Sequence, residues 1–229
     1  MFFPEKIVGI KDGDRVLEVG PGGFPYFRSD VLLEKNFNEK ELFEQRGGAP
    51  LLKTDKKIIV YSGDRFPFKD GEFDYVICSH VLEHVDNVSI FLNELTRVAK
   101  AGYLEFPTVY YEYLYNFKVH KNILFNNNGK IFWLEKNITG LDNFFEVNKF
   151  FYETLIQGKT QLVDELKEYF FQGLEWFGKI DLIKTTNVKD ICFEGVQYKS
   201  LNFNNRFERS LVYRIIKFME RKLKNIYKK

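Results

Sequence analysis

The three histidines of the chain, His80, His84 and His120, are the side chains best suited to moving a proton near neutral pH. His80 comes just after the apolar run Phe73–Cys78, and His120 follows a segment crowded with tyrosines. A general base must reach the proton that it removes, so its position matters as much as its chemistry. We predict that His80 contacts a bound ligand and that His120 is a candidate base. The alternative for each is a hydrogen-bonded histidine that only fixes the local fold, and this is the favoured role for His84.

A glycine loop follows the first apolar run of the chain. The sequence of Arg15–Gly20, RVLEVG, predicts a strand that ends in a loop made of Gly20, Pro21, Gly22 and Gly23. Glycine has no Cβ, so the backbone of such a loop can approach a ligand that a side chain would exclude. The loop alone is weak evidence for a binding site.

Acidic residues stand where the next two predicted strands end. The run Ser29–Leu33 leads into Glu34, and the run Lys57–Tyr61 leads through Gly63 into Asp64. A carboxylate at a strand end can accept hydrogen bonds from a ribose diol. In this order, the glycine loop, the two acidic strand ends and the later segment SHVLEHV are strong evidence for a ligand site at the carboxyl ends of the strands.

A β-α-β unit positions His80. Phe73–Cys78 is typical of a fully buried parallel strand, and Ala101–Phe106 predicts a second one. Between them, apolar residues recur at helical spacing from Asn87 to Ala99, and Asn87 is placed to cap the helix. The chain therefore predicts a doubly wound α/β fold, in which ligands bind at the carboxyl ends of the strands.

Three motifs give the chain a family resemblance: VLEVGPGG, GDRFPFKDGEFDYVICSHVLEHV and ELTRVAKAGYLEFP, over roughly residues 14–107. Together they resemble the class I S-adenosylmethionine-dependent methyltransferases, especially the small-molecule branch. The resemblance implies a Rossmann-like, mostly parallel sheet of seven strands with helices on both faces. It also implies S-adenosylmethionine as the cofactor and S-adenosylhomocysteine as the product.

The resemblance further implies which residues hold this cofactor. The glycine loop would hold the methionine half, Glu34 at the end of the second strand would hold the ribose, and Asp64 and Arg65 after the third strand would hold the adenine. The residues after the fourth strand would close over the methionine moiety. The implied set is Glu18, Gly20, Pro21, Gly22, Gly23, Glu34, Asp64, Arg65, Phe66, Ser79 and His80.

The first crossover departs from the family pattern. Only the stretch from Phe24 to Ser29 separates the loop from the second strand, which is too short for an ordinary crossover helix. We expect either a tight turn built on Pro25 or two strands that are not neighbours in the sheet.

The remaining chain predicts an insert and a tail. We predict one domain over residues 1–208, in which a hairpin around Asn126–Gly129 and helices to residue 172 form a cap on the acceptor side. Leu174–Lys184 and Lys189–Tyr198 are candidate closing strands. Residues 209–229 carry eight basic residues and one acid with apolar residues at helical spacing, which predicts a basic amphipathic helix.

Composition and charge limit the location, the partners and the metal content that we expect for this protein. The start lacks a secretory-signal pattern and no apolar stretch is long enough to span a bilayer, so we expect a cytoplasmic protein. The basic helix either docks on its own domain or lies on the inner membrane face. A single basic tail is a poor footprint for nucleic acid, which we do not expect as a partner. Cys78 and Cys192 lack metal-ligand spacing, and we expect no metal.

The sequence therefore favours methyl transfer to a small-molecule or saccharide acceptor, with oxygen as the expected methylated atom. Two alternatives stay open. One is a non-catalytic module that kept the cofactor fold. The other is a nicotinamide oxidoreductase, which is disfavoured because no GxGxxG motif opens a long helix here.

Overall fold

A computed structural model of the chain describes residues 1–36 and 54–194. Nine strands lie in these ranges: β1 Val16–Val19, β2 Val31–Lys35, β3 Lys57–Tyr61, β4 Phe73–Ser79, β5 Ala99–Pro107, β6 Asn122–Asn127, β7 Lys130–Glu135, β8 Phe171–Phe177 and β9 Asp181–Lys184. The α-helices there are α1 Val88–Val98, α2 Val109–Tyr115, α3 Phe145–Ile156, α4 Gln161–Glu165 and α5 Lys167–Phe170.

The main sheet has the order β3-β2-β1-β4-β5-β8. Its first five strands are parallel, and β8 runs antiparallel to β5. The predicted α/β fold with a mostly parallel sheet is confirmed. The expected count of seven strands is not confirmed, because the sheet has six strands within the described residues.

The closing segment explains this difference. The run Leu174–Lys184, expected to form one strand, is divided at Gly178, whose φ of 74° turns the chain. Its first part belongs to β8 in the main sheet, and its second part, β9, pairs with β7 in a separate sheet of order β6-β7-β9. The second expected closing strand is also wrong where it is described, because Val188–Ile191 forms a 3-10 helix.

The first crossover is short, and its strands are nevertheless sheet neighbours. β1 and β2 pair in parallel with Leu17 opposite Val31, and residues 20–30 connect them without a helix. The buried carboxylate of Glu18 secures this link, because its Oε2 accepts hydrogen bonds from the amide of Tyr26 and the hydroxyl of Ser29.

The core lies between the main sheet and α1. The helix begins at its cap Asn87, whose side chain accepts a hydrogen bond from the amide of Ile90 at 3.0 Å. Its apolar face is buried against β4 and β5 through Val88, Phe91, Leu92, Leu95 and Val98. This packing fixes the carboxyl end of β4, where the loop containing His80 and His84 begins.

The segment predicted as a hairpin forms β6 and β7, which pair antiparallel around Asn128 and Gly129. The amide of Asn122 at the start of β6 donates to the carbonyl of Glu83, so the hairpin is attached to the loop after β4. Within residues 1–36 and 54–194, no helix has both the length and the apolar character to cross a membrane. The predicted basic helix, residues 209–229, and the domain boundary at residue 208 lie outside the described residues.

Candidate functional site

A cavity of about 480 Å³ opens at the carboxyl ends of the parallel strands. It lies where the sheet order reverses between β1 and β4, which is the position at which open α/β sheets bind ligands. The cavity is lined by most of the predicted cofactor residues, namely Glu18, Gly20, Pro21, Gly22, Gly23, Glu34, Asp64, Ser79 and His80. The fold therefore brings together residues from four strand ends.

The glycine loop after β1 needs glycine at two positions. Gly20 has a φ of 62°, and a Cβ there would lie 2.5 Å from Cγ2 of Val81. Gly22 has a φ of 61°, but a Cβ there would meet nothing within 4 Å. Gly20 is therefore required by both backbone conformation and close approach, and Gly22 by conformation alone.

Two predicted cofactor residues do not line the cavity, Arg65 and Phe66. Phe66 is a correction: its side chain is 1% exposed and packs edge-on against Tyr61 and Phe91 in the core. Its apolar ring gains more from burial in the core than from a place on an open strand end. Asp64, two residues earlier, is exposed and does line the cavity.

Glu18 lines the cavity, but part of its carboxylate serves the fold. Oε2 accepts from the amide of Tyr26 at 2.8 Å and from Oγ of Ser29 at 2.7 Å. Burial raises the pKa of Glu18, although these hydrogen bonds oppose the shift. The family resemblance implied that Glu18 binds the cofactor, but it did not indicate that this carboxylate also holds the first crossover in place.

His80 sits between two buried carboxylates. Its Nε2 lies 2.9 Å from Oε1 of Glu105, and its Nδ1 lies 3.4 Å from Oε1 of Glu83. Burial lowers the pKa of His80, but the contacts with Glu105 and Glu83 outweigh burial, and the net effect is a raised pKa. The two carboxylates therefore favour the protonated form of the His80 ring, which lines the cavity.

Glu105 holds one side of the site together. Its fully buried carboxylate accepts hydrogen bonds from Oγ of Ser79 at 3.0 Å and from the hydroxyl of Tyr103 at 2.7 Å. It also accepts from the amides of Phe2 and Phe3, at 2.7 and 2.9 Å. Burial raises its pKa, but the hydrogen bond from His80 and the other donors lower it to about 2, so Glu105 stays ionised.

On the opposite wall, His120 is paired with a carboxylate that the sequence analysis did not single out. Glu112 of α2 is 1% exposed, and its Oε1 lies 2.5 Å from Nδ1 of His120. Lys136 lies on the other side of Glu112, with its Nζ 2.7 Å from Oε2. Burial raises the pKa of Glu112, but His120 and Lys136 outweigh burial and hold it below its ordinary value.

His84 stands beside His120 in the cavity wall. Their ring centroids are 4.6 Å apart with the rings nearly perpendicular. Nδ1 of His84 lies 3.3 Å from the carbonyl oxygen of Val119, which can only accept, so this nitrogen carries a proton. Burial lowers the pKa of His84 to about 4, so the ring is neutral near pH 7.

Glu83 completes this wall. Its carboxylate is fully buried, and neither oxygen makes a hydrogen bond within the described part of the chain. Burial raises its pKa, but the contact with His80 and the nearby His84 lower it to about 2. Glu83 follows β4 by a few residues, but no spacing in the sequence indicates that Glu83, His84 and His120 converge.

Part of the chain matches a known protein family. Residues 32–104, about a third of the chain, match the family model described as a methyltransferase domain. This range includes the strand ends with Glu34, Asp64 and His80. The predicted resemblance is confirmed over this range, because residues 32–104 are similar to a methyltransferase domain.

Three individual proteins are between 21% and 26% identical to this chain. An uncharacterized protein of Methanocaldococcus jannaschii is 26% identical over 190 residues, which are 79% of this chain and 78% of that protein. The YcgJ protein of Bacillus subtilis is 21% identical over 45% of this chain and 50% of its own, with a TM-score of 0.32. A methyltransferase of Aquifex aeolicus is 25% identical over 46% of this chain and 63% of its own, with a TM-score of 0.30. This chain therefore matches less than two thirds of either solved chain.

Proposed function

We propose that this protein transfers a methyl group from S-adenosylmethionine to an oxygen of a small-molecule or saccharide acceptor. One observation carries the proposal. One cavity is lined by the glycine loop, Glu34 and Asp64 and also by His120, whose Nδ1 contacts the buried carboxylate of Glu112. The first set suits a nucleoside and its amino acid tail, and the second suits a hydroxyl group that must lose a proton.

The chemistry needs little more than alignment and proton removal. The acceptor oxygen attacks the methyl carbon of the sulfonium, the carbon–sulfur bond breaks, and S-adenosylhomocysteine leaves. The hydroxyl proton passes to Nε2 of His120, because Nδ1 is engaged by Glu112. The ionised Glu112 then stabilises the imidazolium and keeps the ring oriented.

The cavity lining supports an acceptor of modest size. Tyr111, Phe117 and Phe171 contribute aromatic surface beside the polar groups. The volume of about 480 Å³ is in the range of small-ligand sites. Aromatic faces can stack on a sugar or on an aromatic acceptor.

Calorimetric titration with S-adenosylhomocysteine tests the cofactor assignment. We expect Asp64→Ala to weaken binding by at least about tenfold, the loss of roughly one charge-assisted hydrogen bond. The matched control is Asp55→Ala, since Asp55 is exposed near the same strand but does not line the cavity. Equal binding by both variants, or tighter binding of a nicotinamide dinucleotide, would refute the assignment.

Transfer is tested with S-adenosylmethionine labelled in its methyl group and a fractionated small-molecule extract. We expect the label to enter a product that gains one methyl group by mass spectrometry. His120→Ala should lower the rate by about 10²-fold or more with little change in cofactor affinity. Cofactor binding without any transfer would instead favour the non-catalytic module.

A further inference from the structure

We propose that Glu83, His84 and His120 bind one divalent ion of the first transition row in the wall of the cavity. Each of these residues offers one ligand atom, and the three atoms lie within 4.8 Å of one another. All three residues line the cavity. Two imidazoles and one carboxylate are a ligand set that zinc, cobalt, manganese and ferrous iron accept.

Both imidazoles are oriented as metal-binding histidines usually are. Nδ1 of His84 donates to the carbonyl of Val119, and Nδ1 of His120 contacts the carboxylate of Glu112. A histidine that binds a metal through one nitrogen commonly donates from the other to a carbonyl or carboxylate. These contacts leave Nε2 of each ring as the nitrogen available to an ion.

Glu83 gives an independent indication of a ligand. Its carboxylate is fully buried, and neither oxygen has a hydrogen bond to any residue within 1–36 and 54–194. Two histidine nitrogens, Nδ1 of His80 and Nε2 of His84, lie 3.4 and 3.9 Å from its Oε1, and the His84 ring is neutral near pH 7. A buried carboxylate without hydrogen bonds is costly, and a cation at this position would satisfy it.

The surrounding fold holds the three ligands close together. The amides of Lys121 and Asn122 both donate to the carbonyl of Glu83, at 2.6 and 3.1 Å. Nδ2 of Asn122 also donates to the carbonyls of Leu82 and Val85. The loop after β4 is thus attached to the chain segment that follows His120.

The fit requires a small adjustment. Ligand atoms about 2.1 Å from an ion in tetrahedral geometry lie about 3.4 Å apart. The present maximum of 4.8 Å must therefore shorten, which small side-chain rotations of His84 and His120 can provide. Magnesium and calcium are disfavoured because they prefer sets made only of oxygen ligands.

Three protein ligands leave at least one coordination position toward the cavity. An acceptor hydroxyl bound there would have a lowered pKa and would lose its proton to solvent, because Nε2 of His120 cannot hold the ion and accept a proton at the same time. This role in catalysis rests on the proposed methyl transfer. Binding of the ion does not, so it is tested separately.

Titration of the full chain with Co²⁺, followed by visible absorption and calorimetry, tests the site. We expect one ion per chain, displaceable by Zn²⁺. Glu83→Gln and His84→Ala should each raise the Kd at least about tenfold, and Glu112→Gln about 10- to 100-fold through loss of the support for His120. The matched control is Glu135→Gln, because Glu135 is an exposed carboxylate outside the cavity.

Circular dichroism and thermal unfolding accompany each titration, because Glu83→Gln alters a buried group. Zn²⁺ should raise the Tm of the wild type and of Glu135→Gln, but not that of His84→Ala, whose ring is partly exposed. Absence of stoichiometric binding, or unchanged binding in folded Glu83→Gln and His84→Ala, would overturn the proposal. Titration of the same samples with S-adenosylhomocysteine separates the two proposals: cofactor binding without ion binding refutes only the metal site, and ion binding without cofactor binding refutes only the methyl-transfer function.

Discussion

Oε1 of Glu112 lies 2.5 Å from Nδ1 of His120, and both side chains are largely shielded from solvent. The pair joins helix α2 to the segment that precedes the hairpin. Lys136 at the end of that hairpin balances the charge of Glu112. A buried carboxylate thus fixes both the tautomer and the direction of a histidine in the cavity wall.

The first prediction concerns the catalytic effect of this pair. Glu112→Gln keeps the shape of the side chain but removes the charge that stabilises a protonated His120. We expect methyl transfer to fall by about 10²-fold or more, because a misoriented or unsupported histidine loses most of its effect as a base. Initial rates and cofactor titrations measure this, with the Kd for S-adenosylhomocysteine expected to stay within about twofold. An unchanged rate would remove Glu112 from the mechanism.

The second prediction concerns stability. Lys136→Met should lower the free energy of unfolding by about 3–5 kcal/mol, because it leaves the buried charge of Glu112 without its lysine partner. Lys184→Met is the matched control, since the Lys184–Glu135 pair has the same 2.7 Å separation but is exposed. Its loss should cost far less, because solvent screens an exposed ion pair. Urea denaturation measures the free energy of unfolding of both variants. Equal losses would show that burial does not make the Lys136–Glu112 pair more important than an exposed pair.

The strand-end side of the site was predictable because it depends on local sequence and on the geometry of parallel sheets. Gly20, Glu34 and Asp64 each follow an apolar run, and parallel strands bring their carboxyl ends to one edge. The Glu112–His120–Lys136 group was not predictable in the same way. It depends on how a helix and a hairpin pack together, and no spacing in the sequence encodes that packing.

Two errors have similar physical origins. Phe66 follows the acidic strand end in sequence, but its ring is drawn into the core by Tyr61 and Phe91. The apolar run of Leu174–Lys184 looks continuous, but the turn at Gly178 divides it between two sheets. In both cases the local sequence is compatible with two different structures, and tertiary packing determines which of them forms.

The third prediction separates conformational strain from steric overlap in the glycine loop. Gly22→Ala should cost about 1–2 kcal/mol, the cost of a left-handed conformation for a residue with a Cβ. Gly20→Ala should cost about 1–3 kcal/mol more, because its Cβ would overlap Cγ2 of Val81. Denaturation curves of both variants measure the difference.

The variant Val81→Ala provides the control for this overlap. Combined with Gly20→Ala, it should recover most of the additional loss, whereas combined with Gly22→Ala it should recover none. If the two double variants behave alike, the overlap at Gly20 does not limit stability.

The fourth prediction concerns acid. The folded-state pKa of Glu105 is about 2, against an ordinary value of 4.5, because hydrogen bonds from His80 and Tyr103 outweigh its burial. A carboxyl whose pKa is lowered by folding stabilises the protein above its unfolded-state pKa, and this stabilisation is lost as the pH falls through the folded-state value. Glu105 should therefore contribute on the order of 3 kcal/mol at pH 5 and above, declining steadily toward pH 2.

Urea denaturation between pH 5 and pH 2.5 measures this contribution. The wild type should lose stability more steeply than Glu105→Gln, which has no carboxyl to protonate at this position. The pKa of His80 is raised above its ordinary value of 6.5, so His80 is protonated in the folded and the unfolded chain throughout this range. His84, with a folded-state pKa of about 4, gains a proton within the range, but it does so in both the wild type and Glu105→Gln and does not account for a difference between their slopes. Where Glu105→Gln is too unstable for a full curve, carbon NMR of the Glu105 carboxyl in the wild type provides the second measurement. A titration midpoint near 4.5 would show that the hydrogen bonds from His80 and Tyr103 do not hold this carboxylate ionised.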